Sequence, residues 1–125
     1  MTGPESTTYD RLKREWKRCH GIALRFYNVA HSGYPDFILV HERLRQPAFT
    51  EVKTCPTSAT TVGLSTHQQI LGSALILSGA SVFLLAWCIS DQTWGAISLT
   101  SYRDPLKFSA IQRKTHALCP ELFFE

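Results

Sequence analysis

The sequence predicts an α/β fold with a mixed central sheet flanked by helices, on three observations. Apolar residues recur at helical spacing near the start, at Tyr9, Leu12, Trp16 and Cys19. Three short segments of strand character then follow with brief polar turns between them. Finally, an apolar helical stretch leads into an uninterrupted apolar run, Ser81–Ile89, as expected of a strand buried on both faces. The predicted order is helix, three strands, helix, strand, strand, helix, in a single domain over residues 1–125.

The first helix is expected over Thr8–His20, with Thr7 or Thr8 as cap and Gly21 as terminator. Ile22–Val29 is rich in aromatic and β-branched residues and reads as a strand; the sequence AHSGY then makes a turn. Phe37–His41 is a second strand and Ala48–Lys53 a third, which together suggest an antiparallel meander. Cys55–Gly63 is rich in Thr, Ser, Pro and Gly and is expected to be a loop. Ser65 or Thr66 caps a second helix running to about Ser78. Its residues Ile70, Leu71, Ala74, Leu75, Ile76 and Leu77 leave almost no polar face, so cover on more than one side is expected. Thr93–Leu99 is a partner strand for the apolar run. Asp104-Pro105, an N-cap and N1 pair, predicts a last helix through about His116.

Composition excludes several classes. With 44% hydrophobic and 18% charged residues, the 125-residue chain is neither disordered nor a fibrous repeat. The net charge of +3 says little, but its placement says more. Arg11, Lys13, Arg14, Lys17 and Arg18 put five of thirteen basic residues within eight positions, and Arg103, Lys107, Arg113 and Lys114 cluster near the other end. Two basic clusters suit a polyanionic partner. Cys19, Cys55, Cys88 and Cys119 lack zinc or redox spacing and read as reduced, small hydrophobic residues of a cytoplasmic protein. The N-terminus has no signal-peptide pattern. Thr54–Ser90 contains no Asp, Glu, Lys or Arg, but Gly72, Ser73, Ser78, Gly79 and Ser81 break its apolar part. A buried helix and strand explain that better than a membrane span.

Chemistry concentrates at Pro35-Asp36 and Glu51-Val52-Lys53. Strand residues two apart share a face, so Glu51 and Lys53 project together, and Asp36 reaches the same place if the two strands pair. Two adjacent carboxylates repel unless a cation lies between them. Hard oxygen donors in small number suit Mg²⁺, with water and phosphate oxygens completing the shell. A lysine beside that ion orients or deprotonates the attacking water. Taken alone, the same residues also fit a turn aspartate and a surface ion pair.

The stretch SGYPDF, then TEVK, then LSTHQ, then Gly79 resembles the VRR-NUC family of the PD-(D/E)xK nuclease superfamily. It is also similar to the archaeal-type Holliday junction resolvases of that superfamily. The resemblance runs from about Tyr9 to Trp87 and implies a restriction-endonuclease-like αβββαβ core. It implies that Asp36 and Glu51, with the Val52 carbonyl, hold Mg²⁺ or Mn²⁺, that Lys53 positions the water and that Gln68 faces the site. Such nucleases carry a further acid on the first helix. Spacing to Gly21 favours Asp10 for that role, whereas the helical face favours Glu15, the residue chosen here.

The expected activity is therefore metal-dependent endonucleolytic cleavage of DNA, aimed at Holliday junctions or other branched DNA and performed by a homodimer. Alternatives are a non-specific nicking or end-processing nuclease of a replication or repair module, and an inactive DNA-binding protein of the same fold. Arg11, Arg14, Lys17, Arg18 and Arg25, with His31 and Ser32 in the turn, are the expected nucleic-acid contacts. The expected setting is the cytoplasm, nucleoid or cytoplasm of a virus-infected cell, without a membrane partner.

Overall fold

The computed structural model describes residues 4–26 and 35–125. The expected turn with His31 and Ser32, and residues 27–29 of the expected first strand, lie outside the described residues. Helix α1 (Pro4–Arg18) begins one turn earlier than the Thr caps suggest, with Pro4 in its first turn, where a missing N–H is harmless. Leu12 and Trp16 are fully buried. The Trp16 indole N–H reaches both the Ile22 and the Val40 carbonyls at 3.2 Å and so ties the helix to the sheet. Gly21 is required at that junction, because a Cβ there would lie 2.2 Å from the Trp16 indole nitrogen.

Strands β1 (Ile22–Arg25), β2 (Phe37–Val40) and β3 (Ala48–Cys55) form the antiparallel meander. Helix α2 (Thr66–Leu77) then crosses over, so that β4 (Ser81–Cys88) pairs parallel to β3. Strand β5 (Thr93–Ser98) returns antiparallel. A short β6 (Arg113–Thr115) completes a mixed six-stranded sheet in sequential order. All eight residues of β4 are buried, as its uninterrupted apolar run requires. One sheet face packs Phe37, Leu39, Val52 and Leu85 against Leu12 and Trp16 of α1. The other packs Cys55, Leu84 and Ala86 beneath Val62, Leu64, Leu106 and Phe108. The four cysteines are free. Among the described residues, no helix is long and apolar enough to cross a membrane.

Two expectations are corrected. The predicted last helix does not form. After a cis Asp104–Pro105 bond, the chain makes a short 3-10 turn, Phe108–Ala110, and then β6. Long-range partners decide this. The Phe108 and Ser109 N–H groups bond to the Thr60 and Ser58 carbonyls, and β6 takes up the edge of β5. Nor is α2 covered on several sides. Gly72 is its one buried residue, set against Leu99 and Val82, while Ile70 and Leu77 are 61% and 89% exposed.

Candidate active site

Asp36 precedes β2 by one residue, and the Phe37–Thr50 register sets it across from Glu51. Its backbone N–H donates to the Thr50 carbonyl at 3.0 Å, and its Oδ2 accepts the Val52 N–H at 2.9 Å. That second bond turns the carboxylate toward β3. Glu51 and Lys53 then share one face of β3, as period two dictates. The Lys53 ammonium points at the Gln68 side-chain oxygen, 3.5 Å away. Gln68 itself is fixed at the third position of α2 by a capping box: its side-chain oxygen accepts the Ser65 N–H at 2.8 Å and its own N–H donates to Ser65 Oγ.

Electrostatically this is a pair of acids seeking a cation. Glu51 is only 7% exposed, and burial pushes its carboxyl up to about 9. The neighbouring Asp36 charge and a hydrogen bond between the two side chains add to the rise, and Lys53 opposes it. The Tyr9 hydroxyl is also raised well above its ordinary value, first by burial and then by the charge and hydrogen bond of Asp36. Arg25 closes the other side. Its guanidinium lies 3.9 Å from Asp36 Oδ1, donates to the Asp36 carbonyl at 2.9 Å and stacks over the Tyr9 ring.

The structure thus gathers Asp36, Glu51, Lys53, Gln68 and Arg25, together with the Val52 backbone. It does not gather Glu15. One Glu15 oxygen accepts the Trp94 indole N–H at 3.2 Å and the Leu118 N–H at 2.9 Å, and the other pairs with Arg11. Asp10 is largely exposed and pairs with Lys13. The helix acid whose charge is felt at Glu51 and Tyr9 is Glu5, about 15 Å back along the helix axis from Glu15. The sequence reading took Tyr9 only as a residue of the apolar stripe and passed over Glu5, although a signal for both at the site was present. The stripe Trp16, Leu12, Tyr9 continued back by one turn lands on Glu5.

Of the expected nucleic-acid contacts, Arg11 is committed to Glu15 and to the Trp87 ring, whereas Arg14, Lys17 and Arg18 project from α1 into solvent. His31 and Ser32 lie outside the described residues. Among the described residues, no group of three or more His, Cys, Asp or Glu side chains is assembled for a metal. The two adjoining carboxylates nevertheless fit a hard divalent ion of the magnesium type, which binds through few protein oxygens. The rise at Glu51 points the same way, since the proton it holds stands where a cation would bind.

The fold is restriction-endonuclease-like. In particular, the chain superposes on Hjc, a Holliday junction resolvase from Archaeoglobus fulgidus, with a TM-score of 0.59 and 18% identity over 81% of this chain and 83% of that one. It superposes on a VRR-NUC domain with a TM-score of 0.55 and 19% identity over 72% and 90% of the two chains. No family model and no curated protein matches by sequence.

Proposed function

We propose that this chain is a metal-dependent endodeoxyribonuclease that acts on branched DNA as a homodimer. The observation that carries the reading is the convergence of Asp36, Glu51 and Lys53 on one face of a nuclease-type sheet. Asp36 and Glu51, with the Val52 carbonyl, are the groups that would hold Mg²⁺ or Mn²⁺, and Glu5 is the acid placed to join them from α1. Such an ion supplies Lewis acidity toward the phosphate and lowers the pKa of bound water. Lys53 offsets phosphate charge and orients the attacking water. Gln68 holds the lysine at its post, and Arg25, bonded to the Asp36 carbonyl and 3.9 Å from its carboxylate, holds Asp36 in position.

The homodimer rests on α2. Thr66, Gln69, Ile70, Ser73, Ala74 and Leu77 line one open stripe at helical spacing. Small and apolar side chains in that pattern suit a partner helix. The exposed apolar residues Ile22 and Leu24 of β1 enlarge the uncovered surface. An assembly with two-fold symmetry presents two identical sites, which matches a four-way junction of similar symmetry.

The reading is tested on a panel of duplex, single-stranded, flap, splayed-fork and four-way-junction DNA with Mg²⁺, Mn²⁺ or chelator. Cleavage confined to the metal lanes and fastest on the junction is expected. Equal rates with chelator would remove the metal dependence, and equal rates on junction and duplex the preference for branches.

A further inference from the structure

The second basic cluster takes no part in the site described so far, yet the fold brings it alongside. Across the sheet, Lys53 pairs with Ala86, Ala86 with Gly95 and Gly95 with Lys114. Residues directly opposite in a sheet share a face, so Lys53 and Lys114 stand in one row on one face. Three strand spacings separate them, about 14 Å. Between them the face is roofed by two segments. The Cys55–Leu64 loop starts two residues after Lys53 and runs to the Ser65 cap that fixes Gln68. Its outer edge is zippered to residues 106–109: Thr61 bridges Lys107, the Val62 N–H meets the Leu106 carbonyl at 2.7 Å, and the Ser109 N–H meets the Ser58 carbonyl at 2.9 Å.

The exposed skin of that roof carries the hydroxyls of Thr57 and Thr61, and Thr61 is bridged to the exposed Lys107. Lys114 is held in place at the far flank. Its ammonium donates to the Ser109 carbonyl at 3.1 Å and lies 5.2 Å over the ring of Phe108, which is itself fully buried. Among the described residues, neither Lys107 nor Lys114 has a carboxylate partner. Unneutralised ammonium groups interleaved with hydroxyl donors match the sugar-phosphate backbone, which takes most contacts of this type without regard to sequence.

We infer that Lys107, Lys114 and the Thr57–Thr61 loop form a second phosphate-binding surface that seats the DNA backbone flanking the bond cut beside Lys53. The inference rests on the nuclease reading for its substrate, but binding and cutting separate in the test. The DNA arm runs from the catalytic lysine across the roof toward Lys114. The span of about 14 Å corresponds to roughly four base steps along a duplex. Because the lysines recognise backbone charge, the surface raises affinity for any DNA arm presented there.

The test is fluorescence anisotropy of a labelled four-way junction, titrated with the full chain in chelator at several salt concentrations. Replacing Lys107 and Lys114 together by Gln should make the slope of log affinity against log salt shallower by about 2, and Lys107→Gln alone by about 1. The paired Lys→Arg variant should keep the original slope. A slope unchanged by the paired Gln variant overturns the inference, as does equal loss with Gln and Arg, which would mean the fold rather than the charge was changed. A wild-type chain that binds with the expected slopes but cuts nothing in Mg²⁺ or Mn²⁺ overturns the nuclease reading and leaves this surface standing.

Discussion

At the scale of single residues, Glu51 holds the most informative position, because a buried acid beside another acid couples metal binding, protonation and stability. Its carboxyl is raised from 4.5 to about 9 in the folded chain. The folded state therefore keeps a proton that the unfolded chain has lost over that interval. The resulting stabilisation is complete below the unfolded value and is lost as pH rises through the folded one. In chelator, the melting temperature of the wild type should fall between pH 6 and pH 9, and Glu51→Gln should flatten that fall. Identical pH slopes in the two proteins would contradict the placement of this proton. The helix acid gives a second prediction. Glu5→Ala should slow cleavage by about 100-fold, a typical consequence of removing one charge-stabilising group, at unchanged melting temperature. Glu15→Ala should instead lower the melting temperature, since it strands the Trp94 and Leu118 N–H groups in the interior. The opposite pattern would restore Glu15 as the site acid.

At the scale of elements, local chemistry was legible and distant pairing was not. The period of two in β3 placed Glu51 and Lys53 on one face, and the Ser65-Thr66 pair marked the start of α2, where the structure makes Ser65 the cap. Glu5 was hidden because Thr7 and Thr8 offered plausible caps, which cut the helix off one turn too soon. The last helix was expected from Asp104-Pro105, a pair that serves a turn equally well. The open edge of β5 and the carbonyls of the Ser58–Thr60 loop, which claim that segment, are far away in sequence. Helix α2 shows the converse difficulty. Its apolar composition implied burial, yet most of its surface is open within one chain, as an interface helix would be. The substitutions Ile70→Glu and Leu77→Glu should therefore reduce the mass found by light scattering from twice 14.1 kDa to one chain without lowering thermal stability. A wild type that already scatters as a monomer at micromolar concentration would end the dimer proposal.

For the whole molecule, the sheet divides the work between its two faces. One carries α1 and a core anchored by Trp16; the other carries α2, the roofed apolar cluster and the side chains of Glu51 and Lys53. The candidate site draws on α1, β2, β3 and the start of α2, so no single segment could have revealed it. Along the sequence, Thr54–Ser90 bears no Asp, Glu, Lys or Arg, and the two basic clusters stand to either side of it. The proposed function stands on Asp36, Glu51 and Lys53 forming one metal-dependent site. Its most direct measurement is the cleavage rate of DNA in Mn²⁺ by the wild type and by Asp36→Asn, Glu51→Gln and Lys53→Ala, each verified as folded. A loss of at least about 100-fold is expected in every variant. Cleavage by any one of them within a few-fold of the wild type would contradict it.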